Sequence, residues 1–388
     1  MIPVTVLVSG VGTVSHKIKG KFGVGNPSRF SSEFRPVIVW NMTYKCNLKC
    51  AHCYINAGNI STDELTTEEA LDLIDQIAEV SSPLLILSGG EPLVRRDFME
   101  IVEYATSKKL KVALSTNGTL ITEHVARKLS DLGIVYVGIS IDSPDPQWHD
   151  MFRGVNGAFQ AAIAGLKNAA KAGLSTGLRY TITRYNVGDA PSIIDLTLKL
   201  KVPRVTFYHL SAAGRAKSIG KDWYVTPSQY FNFIDYLIQV SKKYVGALEI
   251  ETTMAPFDGI CIADKIAKSS EEFWKCLEVV KAQGGCGRKI ISIYPNGNVY
   301  PCQFVDFMFV GNVRQQRLKE LLDINNPSLR YFIETEKFLK GPKCSTCPFK
   351  SICKGGDRIR AYYLNGGLHE DDPQCFLDVR KIYERWSS

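Results

Sequence analysis

The chain is 388 residues long, 45% apolar and 22% charged, with a mean hydropathy near zero, which excludes a disordered, collagenous or coiled-coil protein. No run of 18 or more apolar residues is present to span a membrane. Forty-seven Lys and Arg against 39 Asp and Glu leave a net charge of +8; this favours anionic partners, but the basic residues are scattered rather than blocked, so nucleic acid is not expected.

Residues 1–34 show no lasting period and read as an irregular arm. Their first fourteen residues are apolar but carry no basic flank or cleavage site, so export is not expected and the reading is cytoplasmic. From residue 36, β-type runs (36–43, 83–89, 110–116, 135–142, 175–183, 204–210) alternate with helical patterns (66–80, 96–108, 122–133, 158–173, 189–201). Six such units predict right-handed crossovers and a parallel sheet. The expected fold class is α/β, a partial (β/α)6 TIM-type barrel over 35–226, with reactive groups at the carboxyl ends of its strands. A bridging region (227–285) follows, with a helix at 227–243 and a β run at 248–253, and then weak patterning. A hairpin turning at Asn296-Gly297 opens a small cysteine-rich segment, 286–388, whose size calls for metal as a staple.

Nine of the eleven cysteines fall in two groups, a usage that suits metal ligation better than disulfides when no export signal is read. Cys46, Cys50 and Cys53 form C-x3-C-x2-C after the first strand. Three thiolates on one loop can hold a 4Fe–4S cluster and leave the fourth iron open; a zinc site completed by His52 is the alternative. In the tail, Cys344, Cys347, Cys353 and Cys375 make a closed set of four for a second cluster or a zinc ribbon.

The C-x3-C-x2-C-Tyr54 motif after the first strand and Ser88-Gly89-Gly90-Glu91-Pro92 ending the second resemble the radical SAM superfamily over roughly residues 36–215. The resemblance implies that S-adenosylmethionine chelates the open iron and is cleaved by one electron to methionine and a 5′-deoxyadenosyl radical. It places Gly89, Gly90 and Glu91 at the methionine amino group, Tyr54 near the adenine and Ser140 at the ribose. Ser115, Asn117 and Asp142 join them at neighbouring strand ends. A plain tight turn for the glycines and a helix N-terminal carboxylate for Glu91 are the bland readings. The tail resembles the SPASM extension, which carries one or two auxiliary 4Fe–4S clusters. Cys344, Cys347, Cys353 and Cys375 would hold one. Cys286 and Cys302 would belong to another, with Cys276 or Asp357, which stands where the family usually has a cysteine, as further candidates. Cys261 reads as an ordinary buried thiol.

His209, Arg215 and Lys217 follow the sixth strand, and a positive rim with a titratable histidine suits a substrate with several carboxylates. His209 and Arg215 are the catalytic candidates, against the bland reading of a core histidine and solvated cations. Trp40, Phe207 and Tyr208 are candidate stacking groups, each with a core role as the alternative. The segments around Cys46, His209 and Asp357 resemble the tetrapyrrole-modifying branch of the superfamily, and PNGNVYPCQF with Cys302 resembles the haem synthase that decarboxylates iron-coproporphyrin III. That implies oxidative decarboxylation of the propionates of an iron tetrapyrrole, iron-coproporphyrin III to haem b, with an external low-potential electron donor. The alternatives are another tetrapyrrole side-chain reaction, on didecarboxysirohaem or a haem d1 precursor, a maturase acting on a peptide or protein, or a zinc or electron-carrier protein. With 45 residues before Cys46, a maturase is expected to use a separate recognition partner or none.

Overall fold

The computed structural model describes residues 1–11, 35–58, 63–283 and 285–387. Its framework is one eleven-stranded mixed sheet: β1 (Ile2–Pro3), β2 (Val37–Asn41), β3 (Leu85–Ser88), β4 (Val112–Thr116), β5 (Tyr136–Ser140), β6 (Thr176–Ile182), β7 (Arg204–His209), β8 (Glu249–Thr253), β9 (Ile290–Ile293), β10 (Asn298–Tyr300) and β11 (Gly311–Asn312). The order is β1-β8-β7-β6-β5-β4-β3-β2-β9-β10-β11. Strands β2 to β8 pair in parallel in sequence order, β9 joins β2 in parallel, and β1, β10 and β11 add antiparallel edges. Among the described residues no strand pairing joins β1 to β11.

Helices cross between the parallel strands: α1 (Val4–Ser9), α2 (Thr67–Glu79), α3 (Phe98–Ser107), α4 (Glu123–Asp131), α5 (Pro146–Arg153), α6 (Ala158–Lys171), α7 (Ala190–Lys199), α8 (Pro227–Lys243), α9 (Phe257–Ile266) and α10 (Ser270–Lys281). Local chemistry sets their starts. Thr66 and Glu69 form a reciprocal capping box on α2, Thr226 and Gln229 another on α8, and Asp145 caps α5 ahead of Pro146. Along β6, Leu178, Tyr180 and Ile182 pack into the helix-covered core, so the period of two turns Gly177, Arg179 and Thr181 to the other, concave face.

Three expectations change. Residues 1–10 are not irregular: Ile2 and Pro3 pair with Thr252 and Glu251, and Val4 and Thr5 are fully buried in the first turn of α1. The rest of the expected arm, 12–34, lies outside the described residues. The region 227–285 is not a loose bridge, because β8 adds a seventh strand to the sequential parallel run and α9 and α10 pack into the same core. The division at 286 falls inside the sheet, since β9 pairs with β2 through Val37↔Ile290 to Trp40↔Ile293. Among the described residues no helix is long and apolar enough to cross a membrane.

Candidate functional site

The loop after β2 carries Cys46, Cys50 and Cys53, and its backbone is fixed from four sides. Glu64 accepts from Thr43 Oγ1 and from the Tyr44 N–H. The N–H groups of Lys49 and Ala51 donate to the carbonyls of Arg153 and Phe152 at the end of α5. Gly90 N–H donates to Thr43 O at 2.8 Å and Glu91 N–H to Lys45 O at 2.9 Å. Arg215 closes the fourth side: its N–H donates to Cys53 O, its Nε to Cys50 O at 2.8 Å, and Nη1 to Ala57 O.

Each of the three sulfurs accepts one hydrogen bond: Cys46 from Leu48 N–H at 3.4 Å, Cys50 from Arg153 Nη1 at 3.6 Å, and Cys53 from Ala57 N–H at 3.3 Å. Donors aimed at sulfur suit thiolates and tune the potential of a cluster they hold. His52 does not turn toward the sulfurs. Its ring stacks on Phe152 at 4.1 Å and its Nε2 faces Asp142 at 3.7 Å, while burial pulls its pKa down to about 3. The histidine that would complete a zinc site is therefore occupied elsewhere. The three thiols fit a cluster that keeps one iron open, with no fourth protein ligand from His52.

The expected cofactor residues fall into two sets. Gly89 and Gly90 press their backbone on the root of the cysteine loop: Gly89 has φ +124°, and a Cβ on Gly90 would lie 2.1 Å from Lys45 O. Ser115 and Ser140 stand half-buried on the concave face, with hydroxyls that bond nothing among the described residues. Tyr54 reaches the ends of β2 and β3, donating to Asn41 Oδ1 at 2.7 Å beside Ser88 Oγ at 2.9 Å. The other set is committed to holding the fold. Glu91 is fully buried, and its carboxylate accepts from Thr116 Oγ1, Asn117 N–H and Leu93 N–H. Burial pushes its pKa up to about 6 against those bonds. Asn117 donates to Asn47. Asp142, also fully buried, accepts from Thr181 N–H at 2.7 Å and pairs with Arg153 at 2.5 Å. Burial pushes its carboxyl up, but Arg153 and the two neighbouring histidines hold it below the usual range.

The two catalytic candidates do not line an open mouth. His209 is 4% exposed, with Nε2 2.9 Å from Asp258 and the rings of Tyr230, Phe233 and Phe257 around it. It shares the helix-facing side of β7 with Phe207, which is also buried core, as is Trp40. Arg215 braces the cysteine loop, and Lys217 pairs with Asp306 at 2.6 Å over the Tyr363 ring. Tyr208 alone of the stacking candidates faces the lumen.

In the tail, Cys344, Cys347, Cys353 and Cys375 line one pocket with Phe257 and Ile260 of α9 and with Gly355 and Gly356. Backbone N–H groups of Phe349, of Gly355 and Gly356, and of Leu377 face the sulfurs of Cys347, Cys353 and Cys375. This donor set fits a closed cluster. Burial pushes the thiols of Cys46, Cys50, Cys344, Cys347, Cys353 and Cys375 upward, so metal binding at either group releases protons. Asp357 is not among these ligands: it caps the helix Arg358–Asn365 through Ile359 N–H and faces Arg360 at 3.5 Å. Cys286 and Cys302, expected as metal ligands, are joined to each other in a disulfide, and Cys276 packs against the apolar core from α10. Cys261 is buried in that core. Replacing Cys375 by alanine is expected to remove the iron and the EPR signal of one cluster after anaerobic reconstitution while the first loop keeps its own; unchanged iron content would show that the tail cysteines bind none.

Sequence reasoning missed Arg153, which lies in the unforeseen α5, and Arg179, whose signal was available in the Gly177-x-Arg179-x-Thr181 alternation along a strand.

The molecule is an α/β protein with a cysteine loop after the first strand of its parallel run and a smaller cysteine-rich region toward its C-terminal end. Residues 40–197 match the model of the radical SAM superfamily, and residues 285–348 match SPASM, an iron–sulfur cluster-binding domain. The chain is 36% identical to the Fe-coproporphyrin III synthase of Methanosarcina barkeri over 91% of each chain. It is 32% identical to the AdoMet-dependent heme synthase of the same organism, over 87% of this chain and 95% of that one. In structure it resembles SuiB of Streptococcus suis bound to its precursor peptide SuiA (TM-score 0.67, 17% identity, 93% of this chain and 80% of that one), a likeness of fold. The chain belongs to the radical SAM superfamily, among relatives that include haem-modifying enzymes, and it is an enzyme of radical S-adenosylmethionine chemistry.

Proposed function

We propose that the protein removes carboxylate-bearing side-chain carbon from an iron tetrapyrrole and forms Fe-coproporphyrin III. The observation that carries the reading is the 36% identity to an Fe-coproporphyrin III synthase across 91% of both chains. The concave face supports it, with hydroxyls at Ser115 and Ser140 and a cation at Arg179 set for an anionic ligand. Cys46, Cys50 and Cys53 would hold the first cluster, and S-adenosylmethionine on its open iron would supply a 5′-deoxyadenosyl radical that takes a hydrogen atom from the substrate. Arg215 and the Gly89–Gly90 backbone hold the cysteine loop over the strand ends, and Cys344, Cys347, Cys353 and Cys375 would carry a second cluster suited to passing electrons. An external low-potential donor would reduce the first.

The second reading is oxidative decarboxylation of Fe-coproporphyrin III itself. The 32% identity to an AdoMet-dependent heme synthase and the PNGNVYPCQF segment around Cys302 favour it. One experiment separates the two. The reconstituted enzyme is incubated with S-adenosylmethionine, reductant and either didecarboxysirohaem or Fe-coproporphyrin III, and the porphyrins are read by mass spectrometry. Fe-coproporphyrin III arising from didecarboxysirohaem is the expected result. Two losses of formic-acid mass from Fe-coproporphyrin III would move the assignment to the second reading, and both porphyrins unchanged beside abundant 5′-deoxyadenosine would sink both.

A further inference from the structure

Two arginines stand on neighbouring strands of the concave face in opposite electrostatic circumstances. Arg204, at the start of β7, has Glu249 and Glu251 of β8 at 3.1 and 3.6 Å. Arg179, in the middle of β6, has no carboxylate partner among the described residues. Its Nε donates to Tyr208 Oη at 3.1 Å, and its guanidinium carbon lies 4.8 Å from the centre of the Tyr208 ring. The other groups facing it are the phenols of Tyr54 and Tyr136. Both terminal nitrogens are unbonded among the described residues. Drawing a guanidinium out of water with no counter-ion is costly, and a fold that keeps one half-buried gains by receiving an anion there.

The chain also clears space around this cation. Gly138 of β5 and Gly177 of β6 open the same face. A Cβ on Gly138 would lie 2.8 Å from Arg179 Cδ, and one on Gly177 would lie 1.8 Å from Tyr136 Oη. Tyr54, which faces Arg179, directly follows Cys53, so the free guanidinium edge lies under the loop where the radical would be generated. Arg153 is the cation beside the cysteines, 3.6 Å from Cys50 Sγ, and it is already paired with Asp142 at 2.5 Å, whereas Arg179 pairs with no carboxylate among the described residues. Of the two cations, Arg179 is the one left open to a carboxylate.

We propose that Arg179 seats a carboxylate of the substrate in the barrel lumen, two-pronged, with Tyr208 orienting the guanidinium through Nε. The assignment rests on the tetrapyrrole reading and deepens it by naming the residue that recognises the substrate's acid groups. It is tested in reconstituted holoenzyme with Arg179→Gln and Arg179→Lys, titrated with Fe-coproporphyrin III and with its tetramethyl ester. Wild type is expected to prefer the free acid. Arg179→Gln should lose roughly 10- to 100-fold in affinity for the acid and little for the ester, Arg179→Lys should recover part of the loss, and affinity for S-adenosylmethionine should stay constant. Because no ion pair is broken, Arg179→Gln is expected to melt at or above the wild-type temperature.

An acid preference that survives in Arg179→Gln overturns the proposal and leaves the tetrapyrrole reading standing. A loss of S-adenosylmethionine affinity as large as that for the porphyrin gives the carboxylate to the cosubstrate and overturns it too. Wild-type protein that binds neither porphyrin removes the tetrapyrrole reading, and the arginine is then judged with sodium propionate against sodium chloride at equal ionic strength. A rise in melting temperature confined to wild type supports the carboxylate seat, and equal shifts in wild type and Arg179→Gln reject it.

Discussion

Replacing Arg153 by methionine should strip the cysteine loop of its charged support and destabilise the whole barrel. Arg153 is 8% exposed, pairs with the fully buried Asp142 at 2.5 Å and donates to Cys50 Sγ at 3.6 Å. Removing one partner of a buried ion pair leaves the other charge uncompensated, at a cost of about 3–5 kcal/mol. Thr181 N–H and the distant His52 cannot replace a guanidinium as partners of Asp142. For a chain of 388 residues, at roughly 2.1 cal/mol/K of unfolding entropy per residue, that cost lowers Tm by about 5 °C. Scanning calorimetry under anaerobic conditions measures it. The double variant Arg153→Met, Asp142→Asn should regain most of the loss, because neither charge is then left buried alone. The sulfur hydrogen bond is not regained, so both variants should show a first-cluster potential more negative than wild type in an EPR-monitored titration. A single variant melting within about 1 °C of wild type would show that Asp142 does not depend on the pair.

The parallel strands were legible because each combines β-branched composition with burial on the helix-facing side. The run 175–183 became Thr176–Ile182, and 204–210 became Arg204–His209. Segments with a short or polar apolar stripe were not legible. Helix α5, PQWHDMFR, spans eight residues with few apolar ones, and its one clear signal is Asp145-Pro146 at its start. At the N-terminus, VTVLVS is rich in β-branched residues, yet it is helical because Val4, Thr5 and Leu7 bury against the sheet, a tertiary gain that outweighs propensity.

For the site, spacing conveyed which residues lie near a strand end but not which face they take. His209 illustrates this. Its place at the end of β7 suggested the mouth, but the period of two puts it beside Phe207 on the helix side and turns Tyr208 inward. Applied to β6, the same alternation singles out Arg179. Arg215 and Asp357 depend on long-range folding that no local pattern encodes. The turn Gly214–Ser218 folds Arg215 back 165 positions onto Cys50 O, and Asp357 is drawn beside Arg360, itself held by Asp372, Leu210 O and Met254 O. Motifs whose work is done by the backbone carried over more directly, since a glycine pair has few other reasons to stand at a strand end.

Gly90→Ala is expected to damage the cysteine loop directly. The added methyl would sit 2.1 Å from Lys45 O and 2.8 Å from Lys45 C, both backbone atoms that cannot swing aside as a side chain would. To relieve the overlap, the Lys45 carbonyl must retreat by about 1.4 Å, a contact of roughly 3.5 Å being ordinary between non-bonded heavy atoms. It would then give up the 2.9 Å bond from Glu91 N–H, and Cys46 follows directly in the chain. Overpacking of this kind costs about 1–3 kcal/mol, so the protein should still fold. The cysteine loop should not keep its geometry, and because misplacing reacting groups by about 1 Å can cost 100-fold in rate, 5′-deoxyadenosine production should fall by about that factor or more. Iron analysis should show the loss of one cluster with the tail cluster retained. Gly188→Ala is the control, since nothing lies within 4 Å of its added Cβ. If Gly90→Ala cleaves S-adenosylmethionine within about tenfold of the Gly188→Ala rate, the loop does not depend on this backbone approach, and the seating of the three cysteines has to come from Arg215 and Arg153 instead.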